Sequence, residues 1–551
     1  MLLPDLPGEL LESISETLDS ERSISAFCRA NRRLHNLLTG HLYRHNARWW
    51  GNSALVWAAR QGREETVRKA LRWGADIQGA PQLLLVMALQ AASAGGHEKI
   101  VQLLLENNAD VNAQGGEYGS ALQAASEEGQ EKIVQLLLNK NADVDAKGGE
   151  YGSALRAALA GGHEKVVQLL IENNADVNAK GGSFGSSLQE ASAGGYEKVV
   201  QLLLDKNADV NANAHSWPHG SALQAASAGG HEKIVRLLLD KNADVNARGG
   251  RCGNALQAAS ANGHEKVVRL LLDKNVDVNA QGGEYGNALQ AASVGGHEKI
   301  VQLLLDNNAD VNAQGGYYAN ALQAASVGGH EKIVQLLLDN NADVNMQGGQ
   351  YGGALQAASA EGHDKVVQLL LDKNADVNAQ GGLFGSSLQA ASVRGHEKTV
   401  QLLLDKNADA NAPQGGEYAN ALQAASVGGH EKIVQLLLNK NADVNARGGR
   451  YANALQAASA EGHEKVVRLL LDKNADVNAQ GGHYGSALHA ALARGHKKIA
   501  QLLLDKNADV NARGGRYRNV LQAALARGHE KIAQLLWALQ KCITGSSGRR
   551  S

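Results

Sequence analysis

The sequence predicts a mainly α-helical solenoid: stacked helix-turn-helix units with short β-hairpin loops, preceded by a small three-helix module. Three observations predict it. A short word close to ALQAAS returns at Ala54, Ala88, Ala121, Ala154, Ser187, Ala222, Ala255, Ala288, Ala321, Ala354, Ser387, Ala421, Ala454, Ala487 and Val520, which marks fifteen repeats, numbered 1 to 15 below. The step is 33 residues except for 34 between the first two markers, 35 into Ala222 and 34 into Ala421. Each step holds two short helix-like stretches separated by Gly- and Asn-rich turns, and such units bury their apolar faces only against their neighbours.

The first element in order is residues 1–48, which do not repeat. Leu10, Leu11, Ile14 and Leu18 recur at helical spacing after Pro7, a residue tolerated in a first helical turn. Ile24, Phe27 and Cys28 begin a second series, and Leu34, Leu37, Leu38, Leu42 and Tyr43 suggest a third helix. So short a module buries little surface and needs support from the array or from a partner. One reading makes it a cap over the first repeat, with Trp49 and Trp50 wedged against the array.

The other reading rests on a resemblance. The stretch LPGELLESISETL, followed by FCRANRRLHNLLTGHLYRHN, is similar to a divergent F-box of the kind found ahead of repeat arrays in filamentous fungi. That resemblance implies docking onto a Skp1-type adaptor of a cullin ubiquitin ligase through Leu6, Pro7, Leu10 and Ile14, with Leu18 closer to the module's own core. The chain would then be a substrate receptor. The alternative is a scaffold whose N-terminal helices only cap the solenoid.

The repeat itself is seen cleanly in residues 286–318. Asn287 can accept from the first helical turn, and Gln290 three residues on can answer the Asn287 N–H, a reciprocal capping box also readable at Ser120 with Gln123 and Asn320 with Gln323. The helix ALQAAS is short, and its alanines allow close approach of neighbours. Gly295 and Gly296 break it. A second helix follows through HEKIVQLLLDNN, with Ile300, Val301, Leu303, Leu304 and Leu305 as its apolar stripe and Glu298, Lys299, Gln302 and Asp306 on the wet side. NADVNAQGG then suits a turn and a hairpin.

The words G-H-x-x-[IV]-V-x-L-L-L and A-D-V-N-A resemble the ankyrin repeat, over residues 49–541, leaving 542–551 as a disordered tail. The usual Thr-Pro-Leu-His opening has become Ser/Asn-Ala-Leu-Gln, and only Ala487-Leu488-His489 keeps the His. The usual Gly before Ala-Asp is Asn, as at Asn308 and Asn341, the next-best residue for a left-handed helix end. The resemblance implies a non-catalytic protein that binds other proteins on hairpin tips and on the exposed face of the first helices.

Variation among the copies locates those positions here. The tips change through Glu117, Glu150, Trp217, Arg251, Glu284, Tyr317, Gln350, Leu383, Glu417, Arg450, His483 and Arg516. The first-helix ends change at Glu127, Glu128, Asn262, Glu361, Arg394, Glu461, Arg494 and Arg527. An aromatic follows nearly every tip, as at Tyr118, Tyr351, Phe384 and Tyr451; its regular spacing favours packing between hairpins over contact with a partner. Residues 213–220, NAHSWPHG, lengthen one hairpin.

The totals exclude several classes. With 54 Lys and Arg against 56 Asp and Glu, the chain has no general attraction to nucleic acid or membrane. Charge is nevertheless uneven: residues 481–551 hold twelve Lys or Arg and three Asp or Glu, which suits an acidic client at that end. Cys28, Cys252 and Cys542 are too scattered for a disulfide framework, so a cytoplasmic or nuclear location is expected, and the chain is taken as a monomer. No stretch approaches the roughly 20 apolar residues of a membrane span, and the apolar run 83–92 belongs to a first helix. The opening lacks the basic region of a secretion signal. The recurring His of HEK has no second His four residues on, so a turn or capping role is preferred to zinc. The EF-hand-like spacing from Asp273 to Glu284 puts Val278 where Gly is required. No phosphate-binding glycine motif appears, and neither cofactor nor enzymatic activity is expected.

Overall fold

A computed structural model describes residues 34, 53–74, 81–179, 185–212, 220–412, 418–512, 519–534 and 536–538. The calls on residues 1–33 and 35–52, which include Leu6, Pro7, Leu10 and Ile14, lie outside the described residues, as does the tail 542–551. The chain divides into two compact units, Met1–Ala255 and Leu256–Ser551.

In the first unit the helix pairs run Ser53–Arg60 with Glu64–Gly74, Pro81–Ala94 with Glu98–Glu106, Ala121–Glu127 with Glu131–Asn139, Ala154–Ala160 with Glu164–Glu172, Ser187–Ala193 with Glu197–Asp205, and Ala222–Ala228 with Glu232–Asp240. The second unit continues the alternation, for example Ala288–Gly295 with Glu298–Asp306, Ala321–Val327 with Glu331–Asp339 and Ala354–Glu361 with Asp364–Asp372. The apolar run 83–92 falls inside Pro81–Ala94 as read. No helix among the described residues is long and apolar enough to cross a membrane.

Why these residues stack is plain in repeat 8. Ala291 and Ala292 are fully buried, and their small side chains let adjacent first helices meet closely. From the second helix Ile300, Val301 and Leu304 are buried, each worth roughly 1.5–3 kcal/mol. Leu303 and Leu305 are only half-buried, so the stripe is narrower than the sequence suggests.

The cap at the first helix forms as expected on one side only. Asn287 Oδ1 accepts from Gln290 N at 2.9 Å and Ser120 Oγ from Gln123 N at 3.2 Å. The expected return bond is made at Ser186, whose N–H donates to Gln189 Oε1 at 2.6 Å. At Asn287 and Ser120 the return bond is not made, while the glutamine amide donates into the next repeat, as that of Gln189 also does: Gln290 Nε2 to the Ala313 and Ala319 carbonyls, both at 3.1 Å, and Gln123 Nε2 to Ala146 and Gly148, both at 3.1 Å. Those carbonyls face the buried interface, where an unpaired acceptor is costly, and the amide is the donor within reach.

Histidine behaves likewise. His297 precedes its helix but makes no side-chain cap bond; its Nε2 donates to the Ala261 carbonyl of the preceding repeat at 3.1 Å. The glycine pair makes room for these rings. A Cβ on Gly295 would come within 2.6 Å of the His297 ring, and one on Gly296, whose φ is +76°, within 2.6 Å of the His330 ring. Asn308 and Asn341 adopt left-handed angles, φ 62° and 65°, as read.

Beyond most of the second helices an asparagine ladder joins the copies. Asn279 Nδ2 donates to Asn308 O at 3.1 Å, and Asn279 Oδ1 accepts from Asp310 N at 2.7 Å. These bonds give Asn279, one of the EF-hand-like positions, a structural task.

Candidate functional site

The hairpins are short and built alike. Gly115 N donates to Gly119 O at 2.9 Å, Gly282 N to Gly286 O at 2.9 Å, and Gln380–Gly381 pairs antiparallel with Gly385–Ser386. Gly286 has φ +90°, and a Cβ there would collide with Gln290 Oε1 and with the backbone of Gly315. Glycine at the hairpin's return strand is therefore what admits both the glutamine and the next hairpin.

Between the paired strands the tips project. Glu117, Glu150, Arg251, Glu284, Gln350, Arg450 and His483 are exposed, and Tyr317 and Leu383 are 50% and 57% exposed. Neighbouring tips are tied through their backbones: Tyr317 N donates to Glu284 O at 3.0 Å, Leu383 N to Gln350 O at 2.9 Å, and His483 N to Arg450 O at 3.0 Å. Tips tied in this way, all three pairs in the second unit, are set before any partner arrives, which lowers the ordering cost of binding there. Trp217, Glu417 and Arg516 lie outside the described residues.

The first-helix ends form the other border of the same face. Glu128, Asn262, Arg394, Arg494 and Arg527 are exposed, while Glu127, Glu361 and Glu461 are half-buried. The aromatics after the tips join the two borders. Tyr351 Oη donates to Glu361 Oε1 at 3.2 Å and Tyr451 Oη to Glu461 Oε1 at 2.9 Å. Arg394 lies over the Phe384 ring at 5.6 Å, and Arg450 over Tyr451 at 5.8 Å. Tyr451 is 4% exposed and stacks on Tyr484 with ring centroids 6.4 Å apart, so these rings pack between hairpins. Burial, reinforced by the Glu361 carboxylate, pushes the Tyr351 phenol up to about 12.

Several of the changing helix-end residues are partly occupied inside the fold, Glu361 and Glu461 by the tyrosines just named. Asn262 Nδ2 donates to Ala258 O at 3.0 Å, closing its own helix, and Arg527 Nε donates to Ala493 O at 2.8 Å. Arg494 pairs with Glu461 at 3.2 Å.

Charge differs between the two units. In the first unit Glu127 is raised above the usual carboxylate range, by burial first and then by Glu128, Glu150 and Glu117, which places four carboxylates in one another's field. In the second unit Arg450, His483 and Arg494 gather around the stacked tyrosines together with Glu461, and Arg527 adds a cation beside Ala493 at the end of the same first helix as Arg494.

A groove of about 1040 Å³ lies on the opposite, second-helix side of the second unit, lined by residues such as Glu298, Lys332 and Gln335. Its charged side chains pair with each other, Lys332 with Glu298 at 3.4 Å and Lys365 with Glu331 at 3.2 Å. They are nearly the same in every repeat and offer no basis for discrimination, so the changing tips are the better candidate.

The sequence reading passed over two residues. Arg156 stands at the glutamine position and is buried, and Glu190 stands at an alanine position, half-buried with its Oε2 out of reach of solvent. Their departure from the other copies was the available signal.

A family model described as ankyrin repeats in three copies matches residues 88–181, 122–214, 155–249, 188–282, 222–315, 288–381 and 387–481. A second, described as ankyrin repeats in many copies, matches residues 488–536. No curated protein matches the chain.

Proposed function

This chain belongs to the ankyrin-repeat family, and from that premise we propose that it is a non-catalytic binding protein that holds a protein client along its hairpin tips and first-helix ends. Ankyrin repeats mediate protein–protein interaction, and no catalytic family is indicated. The observation that supports the placement is at the tips: in the second unit, residues that change from copy to copy are mounted on backbones tied in pairs, as His483 is to Arg450. Varied side chains on a fixed frame are what selective recognition needs. The cationic groups Arg450, Arg494 and Arg527 favour an acidic client segment in the second unit, with long-range attraction speeding encounter. Reversing Arg494 and Arg527 to Glu should weaken client retention, whereas reversing Lys332 and Lys365 on the second-helix side should not. Equal loss from both pairs would contradict the placement.

The N-terminal segment supplies the second part of the proposal. With Leu6, Pro7, Leu10 and Ile14 spaced as in an F-box, it recruits a Skp1-type adaptor, so that a client held by the array is presented to a ubiquitin ligase. What supports this is sequence alone. The full chain should retain the adaptor and a Pro7→Ala, Leu10→Ala variant should lose it. An intact chain that never retains the adaptor leaves a scaffold whose head caps the array.

A further inference from the structure

Six large apolar side chains are exposed among the described residues, and four of them, Trp57, Met87, Leu525 and Trp537, belong to the first two repeats and the last. The other two, Tyr317 and Leu383, are tips in the second unit, 50% and 57% exposed, with helix pairs before and after them. Single apolar residues scattered over a surface need no explanation. These two are not scattered: they hold the same tip position in hairpins two repeats apart.

Both are fixed in place. Tyr317 N donates to Glu284 O at 3.0 Å, and its ring meets Tyr318 edge-on with centroids 5.0 Å apart. Leu383 tops the hairpin of Gln380–Gly381 and Gly385–Ser386, and its N–H donates to Gln350 O at 2.9 Å. The tip between them, Gln350, is uncharged. Charge is also missing from the helix ends of repeats 8 and 9, where Gly295 and Gly328 stand at the position of Glu361 and Arg394 in repeats 10 and 11. Half-buried Val294 and Val327 come just before those glycines, at the places that Val427 and Ala460 hold around Tyr451.

Beside the second anchor stands a cation that the fold does not neutralise. Arg494 and Arg394 hold the same position in their repeats, each one repeat after a glutamate. Arg494 pairs with its glutamate, Glu461, at 3.2 Å. Arg394 has no carboxylate partner among the described residues; its guanidinium rests on the Phe384 ring at 5.6 Å, and Glu361 accepts from Tyr351 Oη instead of pairing with it.

Resting on the placement of a client along the tips, we propose that Tyr317 and Leu383 seat two apolar side chains of one extended client segment, and that Arg394 receives a carboxylate of the same segment beside the second. Packed helices lie roughly 8–10 Å apart, so tips two repeats apart are about 16–20 Å from each other. An extended chain rises about 3.3 Å per residue, which sets the two apolar residues about six apart. An even interval puts both on one side of the strand. The ring of Phe384 follows Leu383 directly, so the carboxylate falls within about two residues of the second apolar side chain. Because that ring already holds the guanidinium, less freedom is lost when the carboxylate binds it.

The test pans a phage-displayed library of random peptides of about twelve residues, long enough to span both tips, against the full chain, and measures the best retained peptide by fluorescence anisotropy. Retained sequences should carry two apolar residues about six apart, with Asp or Glu beside one of them. Tyr317→Ser and Leu383→Ser, each checked for unchanged circular dichroism, should weaken that peptide about fivefold or more, and Arg394→Glu about tenfold. Exchanging the peptide's carboxylate for Lys should restore binding to the Arg394→Glu chain. Retained peptides without the apolar pair, peptides indifferent to Tyr317→Ser and Leu383→Ser, or no retention at all would overturn the proposal. Among these, a peptide that ignores both changes yet is lost with Arg494→Glu and Arg527→Glu leaves the tip placement standing, whereas loss only on reversing Lys332 and Lys365 removes that placement too. A dimer in sedimentation velocity that dissociates in Leu383→Ser would also overturn the proposal, by putting a second copy over the two tips.

Discussion

Gln290 and Ala319 belong to different repeats, yet the side-chain amide of the first donates to the backbone carbonyl of the second across 3.1 Å. The same amide reaches Ala313 O at 3.1 Å, so one residue satisfies two carbonyls at a buried interface. Replacing Gln290 by Leu keeps the bulk and removes the donor. Leaving those acceptors unpaired should cost about 1–3 kcal/mol. Because each repeat is stabilised chiefly by its neighbours, the loss should appear as faster hydrogen exchange in residues 288–295 and 321–327, with repeats 13 and 14 unaffected. Unchanged exchange at that interface would show that the bond contributes nothing.

The asparagine ladder contains a natural defect. Asp145 keeps the acceptor half, taking a hydrogen bond from Asp176 N at 2.7 Å, but a carboxylate has no donor for the carbonyl that Asn178 reaches one repeat further on. Asp145→Asn should therefore stabilise the interface of repeats 3 and 4 by about 0.5–1.5 kcal/mol. Slower exchange in residues 164–172 of the variant is the expected result, and no change or a loss would contradict the ladder's role.

His489 supplies a pH dependence with a defined sign. It is 2% exposed, and burial holds its imidazole below the usual 6.5, with the Asn519 backbone offsetting this in part. The folded chain then binds fewer protons than the unfolded chain below that value. Its contribution is fully present above about pH 6.5 and is lost as pH falls toward the depressed folded value. The urea midpoint of the last repeats should drop between about pH 7.5 and about pH 5.5, and His489→Gln, which restores the residue most repeats carry there, should shrink the drop. An equal drop in both proteins would remove His489 from the account.

What local sequence could reveal was what local geometry decides. Asn287 as a cap and Asn308 in a left-handed turn depend on atoms within three or four residues, and both are found. The second task of Gln290 was not legible, because the carbonyls its amide reaches, Ala313 and Ala319, lie 23 and 29 residues away and approach only when the copies stack. His297 and Ala261 pose the same problem at a separation of 36. The two borders of the candidate face were legible from variation among copies. That Tyr351 joins them through Glu361 was not, since it depends on how each hairpin folds back over its own first helix.

If the client is held at many points, no single tip should dominate. Arg450→Ala should weaken client binding by about 0.5–1.5 kcal/mol, and a loss above ~4 kcal/mol would point to a single hot spot instead of a distributed face.

The most direct measurement is site-specific photo-crosslinking of the full chain to its bound client, with the reactive group placed in turn at Gln350, Glu284 and Arg494 on the tip face and at Lys332 and Lys365 on the second-helix side. Adducts from the first three positions and none from the last two are the predicted outcome. Adducts concentrated at Lys332 and Lys365, with the tips silent, would contradict the account.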